Sequence, residues 1–86
     1  MITITDQKYT LSIPRPTATT ITTLITLHGN LMMLNANKSI PAIAKEQTLD
    51  FIGYQTKKAT PTKVSLIAYE GLIEKLIKKL KGAKNV

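Results

Sequence analysis

The sequence predicts an α+β fold: an N-terminal β-hairpin over about residues 2–13, then three helices over about 17–36, 40–56 and 61–81, around one small core. Three observations carry that reading. The first twelve residues alternate in polarity, two segments open with the Ser/Thr and proline pattern of helix starts, and the last third carries a long apolar stripe at helical spacing.

In "ITITDQKYTLSI" the apolar residues recur every second position. A two-residue loop at Asp6-Gln7 makes Ile4 face Tyr9 and Ile2 face Leu11, with Thr3, Thr5, Lys8 and Thr10 on the other side. Asp tolerates such a turn, but Gln7 is a poor second residue for it. Pro14 and Pro16 end the hairpin because neither can donate to a ladder. Two strands alone leave two open edges, so self-association or partner binding is expected at the hairpin.

The segment "TATTITTLITLHGNLMMLNA" admits two readings. Its threonines and isoleucines favour strands, with "HGN" as a turn between them. Ile21, Leu24, Ile25, His28, Leu31 and Met32 instead follow the spacing of one helical face, widened by Leu27 and Leu34, with Thr22, Thr26 and Asn30 opposite. Helix is the preferred reading, with Gly29 its weak point. Met32-Met33 reads as core before it reads as an adaptable binding surface. His28 reads as a core or interface histidine with one satisfied hydrogen bond, since no carboxylate or second ligand stands near it in sequence.

Ser39 is a good N-cap and Pro41 suits the first turn of the second helix. The stretch 39–58 raises a sharper question. Ile43, Ala44, Leu49 and Tyr54 can be placed on a helix-turn-helix, the DNA-reading unit whose second helix enters the major groove. Gln47 then stands where an apolar residue is expected and Thr48 where glycine is usual. Asp50 would open the recognition helix, facing phosphate with a negative charge. A single helix explains the periodicity better, with Ile40, Ile43, Ala44, Gln47, Phe51 and Tyr54 on one stripe. The third helix follows Thr60-Pro61, carries Leu66, Tyr69, Leu72, Ile73, Leu76, Ile77 and Leu80 as its stripe, and has Gly82 as its expected C-cap.

Eighty-six residues, 43% of them apolar and 20% charged, make a single folded domain over 1–86 near the lower size limit for an independent core. The absence of cysteine excludes disulfides, thiolate metal sites and thiol catalysis. The four glycines are isolated, so there is no phosphate loop, and no Ser, His and carboxylate spacing points to a triad. No enzyme activity, cofactor, metal or small-molecule substrate is expected. No apolar run reaches the ~20 residues of a membrane span, and the N-terminus lacks the pattern of a signal peptide. A cytoplasmic, soluble protein is expected.

The net charge of +7 is unevenly placed. Residues 1–56 hold four cations against three carboxylates, whereas 57–86 hold eight lysines against Glu70 and Glu74. Lys75, Lys78, Lys79, Lys81 and Lys84 form a candidate face for an anionic partner, and Lys57, Lys58 and Lys63 a second basic patch. The same lysines can serve only as a solvated face. Arg15 is the only arginine, which argues against base-specific DNA reading, because the planar guanidinium is the commonest base-edge reader. A membrane-surface role for "LIEKLIKKLKGAK" conflicts with the need for its apolar stripe in the core. The expected function is therefore a non-enzymatic binding module acting through protein–protein contact, as inhibitor, adaptor or assembly accessory of the phage or plasmid type, with a homodimer left open. The alternative is a nucleic-acid-binding regulator using 39–58 and the C-terminal lysines.

Overall fold

The computed structural model of the protein describes residues 1–84, with side chains through residue 82. It has the predicted order: strands β1 (Ile2–Asp6) and β2 (Tyr9–Ile13), then helices α1 (Ala18–Asn35), α2 (Ala42–Thr56) and α3 (Lys63–Lys84). α1 and α3 pack against each other, the hairpin lies on α3, and α2 braces both β2 and α1. The buried centre is Leu11, Leu24, Leu27, Leu31, Ile52, Tyr69, Leu72, Ile73 and Leu76.

The strands pair antiparallel, but two residues away from the predicted register. Ile2 faces Ile13, Ile4 faces Leu11 and Asp6 faces Tyr9, with the loop at Gln7-Lys8. Gln7 takes the left-handed backbone conformation, φ 55°. This register gives Ile13 an apolar partner that the shorter pairing leaves out. A shift of two residues keeps every side chain on its predicted face. The face is therefore as expected and the partners are not.

β2 does not present the open edge expected of it. Tyr69 Oη donates to the Thr10 carbonyl at 2.7 Å. The Gln55 amide donates to the Ser12 carbonyl and accepts from the Ser12 N–H, each at 3.1 Å. Side chains from α2 and α3 thus occupy the place of a third strand.

α1 is one helix, and Gly29 lies inside it with open space around its Cα. The Thr20 hydroxyl accepts from the Thr17 N–H at 2.8 Å at its start. It ends in a Schellman turn: Lys38 N–H to Met33 O and Asn37 N–H to Leu34 O, with Asn37 left-handed at φ 59°. Its buried line is Leu24, Leu27 and Leu31, so the inner face is rotated toward Leu27. Ile25, Met32 and Met33 are exposed, contrary to the core reading of the methionines. Asn30 does not lie opposite the core; it is half-buried and donates to Thr48 Oγ1 at 3.2 Å.

α2 runs unbroken through residues 47 and 48, so 39–58 does not fold as a helix-turn-helix. It starts two residues later than expected, with Pro41 at the cap position and Ser39 outside. Its inner line is Ala44, Thr48 and Ile52, spaced at i+4, while Ile43, Gln47 and Tyr54 face outward. Thr48 is fully buried because its hydroxyl has two partners: it donates to Ala44 O at 2.8 Å and accepts from Asn30. A satisfied threonine fills the space of a valine, and a pattern based on apolar residues alone misses it. α2 ends with Lys57 left-handed, φ 59°. The chain then folds back so closely that a Cβ on Gly53 would stand 2.9 Å from Lys58 O, which is why glycine occupies that position.

α3 starts at Lys63, two residues past the expected point, because Thr62 and not Thr60 supplies the cap. The Ser65 N–H donates to Thr62 Oγ1 at 3.1 Å. The helix passes through Gly82, which is not its C-cap. Its stripe is as predicted: Tyr69, Leu72, Ile73 and Leu76 are buried, and Leu66, Ile77 and Leu80 pack beside them.

Candidate functional site

The structure divides the lysines of the last third between the two ends of α3. Lys57 and Lys58 follow α2, and Lys63 opens α3, its Nζ donating to Asn37 Oδ1 at 3.3 Å. Lys75, Lys78, Lys79 and Lys81 lie about 18 Å or more further along the helix axis. The Lys84 side chain lies outside the described residues. All seven described lysines are exposed. Lys75 pairs with Asp6 and Lys78 with Glu74, each at 3.4 Å. Lys57, Lys58, Lys63, Lys79 and Lys81 have no carboxylate within ion-pair distance among the described residues. Both pairs are solvent-exposed, so they neutralise charge locally and add little to stability.

Near the first end the surface is concave. A cleft of about 250 Å³ opens between the hairpin loop, the end of α2 and the start of α3, with Lys8, Tyr9, Lys58, Thr62, Ser65 and Tyr69 among its walls. Its floor is fixed. Tyr69 is buried, and the Tyr9 ring meets it edge-on with centroids 5.8 Å apart and planes at 73°. Lys8 Nζ stands 5.6 Å from the Tyr9 ring centroid. Lys8 from the hairpin loop and Lys58 from the end of α2 both line the cleft, no carboxylate among the described residues does, and the N-terminal end of α3 adds its partial positive charge.

Sequence reasoning placed Lys58 in a basic patch but missed Lys8, which alternation assigned only to the outer side of the hairpin. The missed signal is the loop position: a lysine in a two-residue turn projects beyond the strands and can reach a neighbouring element. His28 is half-buried, and its Nε2 is enclosed without a hydrogen-bond partner, so the single satisfied bond expected of it is absent at that nitrogen. Among the described residues no three His, Asp or Glu side chains cluster as a metal site, and no helix is long and apolar enough to cross a membrane.

The fold and surface define a small hairpin-plus-three-helix α+β protein with a cationic cleft and a lysine-rich helix end. Comparison with protein-family models, with curated proteins and with solved structures found no match to this chain.

Proposed function

We propose that this chain is a non-enzymatic binding module that acts by contact with an acidic protein surface. The observation that carries the reading is the excess of cations: among the described residues, five exposed lysines beyond residue 56 have no carboxylate within ion-pair distance. Such charge raises the encounter rate with an acidic partner and favours it over a basic one. The cleft, with no carboxylate among its described lining residues, supplies a pocket for an acidic side chain at one end, and Lys79 and Lys81 supply exposed cations at the other. The runner-up, a nucleic-acid-binding regulator, uses the same lysines as sequence-independent phosphate contacts. It lacks a recognition helix in 39–58 and has one arginine, so the protein partner is preferred.

Affinity capture from a host extract, with and without nuclease, separates the two readings. A protein retained after nuclease and lost from the Lys8→Glu/Lys58→Glu chain is the expected result. A bound fraction that disappears with nuclease, together with a gel shift at low salt, makes the protein a nucleic-acid binder instead.

A further inference from the structure

We propose that the chain recognises an extended diacidic segment of its partner, whose carboxylates, two residues apart, enter two adjoining clefts along the edge of β2 that faces away from β1. This rests on the acidic-protein reading and assigns the recognition to one place on the surface. The first cleft is the one walled by Lys8, Tyr9, Lys58 and Ser65. A second has Ser12, Tyr54 and Lys57 among its lining residues. Thr10 and Gln55 line both, so the clefts adjoin across those two residues. Lys57 and Lys58 are consecutive in the chain, yet each lines a different cleft, and Lys57 is the left-handed residue at φ 59°.

Charge selects the occupant. Lys8, Lys57 and Lys58 are exposed, and among the described residues none has a carboxylate within ion-pair distance. No carboxylate among the described residues lines either cleft. Each cleft thus offers at least one cation whose charge is not already neutralised, which favours an anionic group in both. Tyr54, 79% exposed and lining the second cleft, adds an aromatic surface for the apolar stem of an acidic side chain.

The main chain supplies direction. Gln55 closes both backbone groups of Ser12, and Tyr69 Oη donates to the Thr10 carbonyl, so these groups point away from β1. In an antiparallel strand the N–H of a residue leaves on the same side as its carbonyl. The Thr10 N–H therefore points outward as well, and it has no acceptor among the described residues. A free donor stands at the residue the two clefts share, ready for a carboxylate oxygen. With Ser12 closed, the β2 edge has no continuous ladder to offer a partner strand, so side chains must carry the recognition. An extended segment sets alternate side chains on one side, about 7 Å apart. That is the step that clears one intervening side chain such as Gln55.

Two blocked pentapeptides of one composition test the spacing: Thr-Glu-Thr-Glu-Thr and Thr-Thr-Glu-Glu-Thr, titrated into the full chain and followed by its amide NMR shifts. The alternating peptide is expected to bind in the millimolar range, about threefold or more tighter than the other, moving the Thr10, Gln55 and Lys58 amides most. Lys57→Gln/Lys58→Gln is expected to weaken it about fivefold or more, and Lys79→Gln/Lys81→Gln, which removes the same charge, less than about twofold. Lys8→Gln, on a different element, is expected to weaken it about two- to fivefold, and the amide spectrum of each variant reports that it is folded. Equal affinities for the two peptides, or equal losses in the two double variants, overturn the proposal. So does the absence of any shift at millimolar peptide. Those results leave the acidic-protein reading standing, with Lys79 and Lys81 as the contact, because the nuclease arm of the capture tests that reading separately. An oligothymidylate of the same charge that displaces the peptide from the same amides overturns both.

Discussion

Gln55 grips the backbone of Ser12 from both sides, donating to its carbonyl and accepting from its N–H at 3.1 Å each. This is the pairing that a third strand would make, supplied by one amide from α2. It ties the C-terminal part of α2 to the hairpin, which is also held by the Tyr69 hydrogen bond to Thr10 and by the layer of Ile2, Ile4, Leu11 and Ile13 on the core.

Removing that grip tests how far the hairpin depends on it. Two net hydrogen bonds to a half-buried main chain amount to about 1–2 kcal/mol. Gln55→Ala is expected to lose that much stability in urea melts, and the Ser12 amide to lose protection from hydrogen exchange. Gln55→Glu keeps the acceptor but sets a carboxylate against the Ser12 carbonyl, so it should fare no better. Unchanged Ser12 protection in Gln55→Ala would show the hairpin held by α3 alone.

Thr48 is the point at which the sequence pattern and the structure part. Hydrophobic periodicity places α2 on Ile43 and Tyr54, yet both are exposed, and the buried line runs through Ala44, Thr48 and Ile52. Thr48→Val keeps the volume and removes the hydroxyl that accepts from Asn30. It is expected to cost about 1 kcal/mol, chiefly by leaving that half-buried amide short of a partner. Thr48→Gly adds the loss of packing and the backbone entropy of a glycine within a helix, so it should cost at least another ~1 kcal/mol. Equal effects for the two variants would argue against a buried, hydrogen-bonded Thr48.

The strong signals in this chain were local ones. Alternation between Ile2 and Ile13, the prolines, and the Leu66–Leu80 stripe predict the element order, because each depends on neighbours within one or two turns. Features that depend on contacts between elements were not legible. The hairpin register turns on Ile13 finding Ile2, and on Gln7 accepting a conformation it disfavours. The rotation of α1 toward Leu27 turns on where α2 and α3 pack against it. The cleft combines Lys8 and Lys58, fifty residues apart, which no spacing rule connects.

Lys57 separates stability from binding. It closes α2 in the left-handed region, where a side chain is strained and glycine is not. Lys57→Gly is expected to raise stability by about 1 kcal/mol while removing one unpaired cation beside the cleft. Binding to an acidic partner should therefore weaken as the melting temperature rises. A variant that gains stability and binds equally well would take Lys57 out of the contact face.

Tyr69 is expected to add to the loss of stability at alkaline pH. Burial pushes its phenol above the ordinary tyrosine value, with the nearby Tyr9 acting in the same direction. Ionisation would also strip the Thr10 carbonyl of the donor now 2.7 Å away. In the unfolded chain the phenol titrates near its ordinary value of about 10, so the unfolded state loses its proton first. The contribution of the neutral phenol is therefore complete below about pH 10 and is lost as pH rises through the higher folded value. Urea midpoints followed upward from pH 9 are expected to fall, and to fall less steeply in Tyr69→Phe. That variant should start about 1 kcal/mol less stable at neutral pH, for want of the Thr10 hydrogen bond. The comparison between the two chains isolates Tyr69 from every other group in the protein. Parallel alkaline limbs in the two chains would place the loss of stability elsewhere and leave Tyr69 a packing residue only.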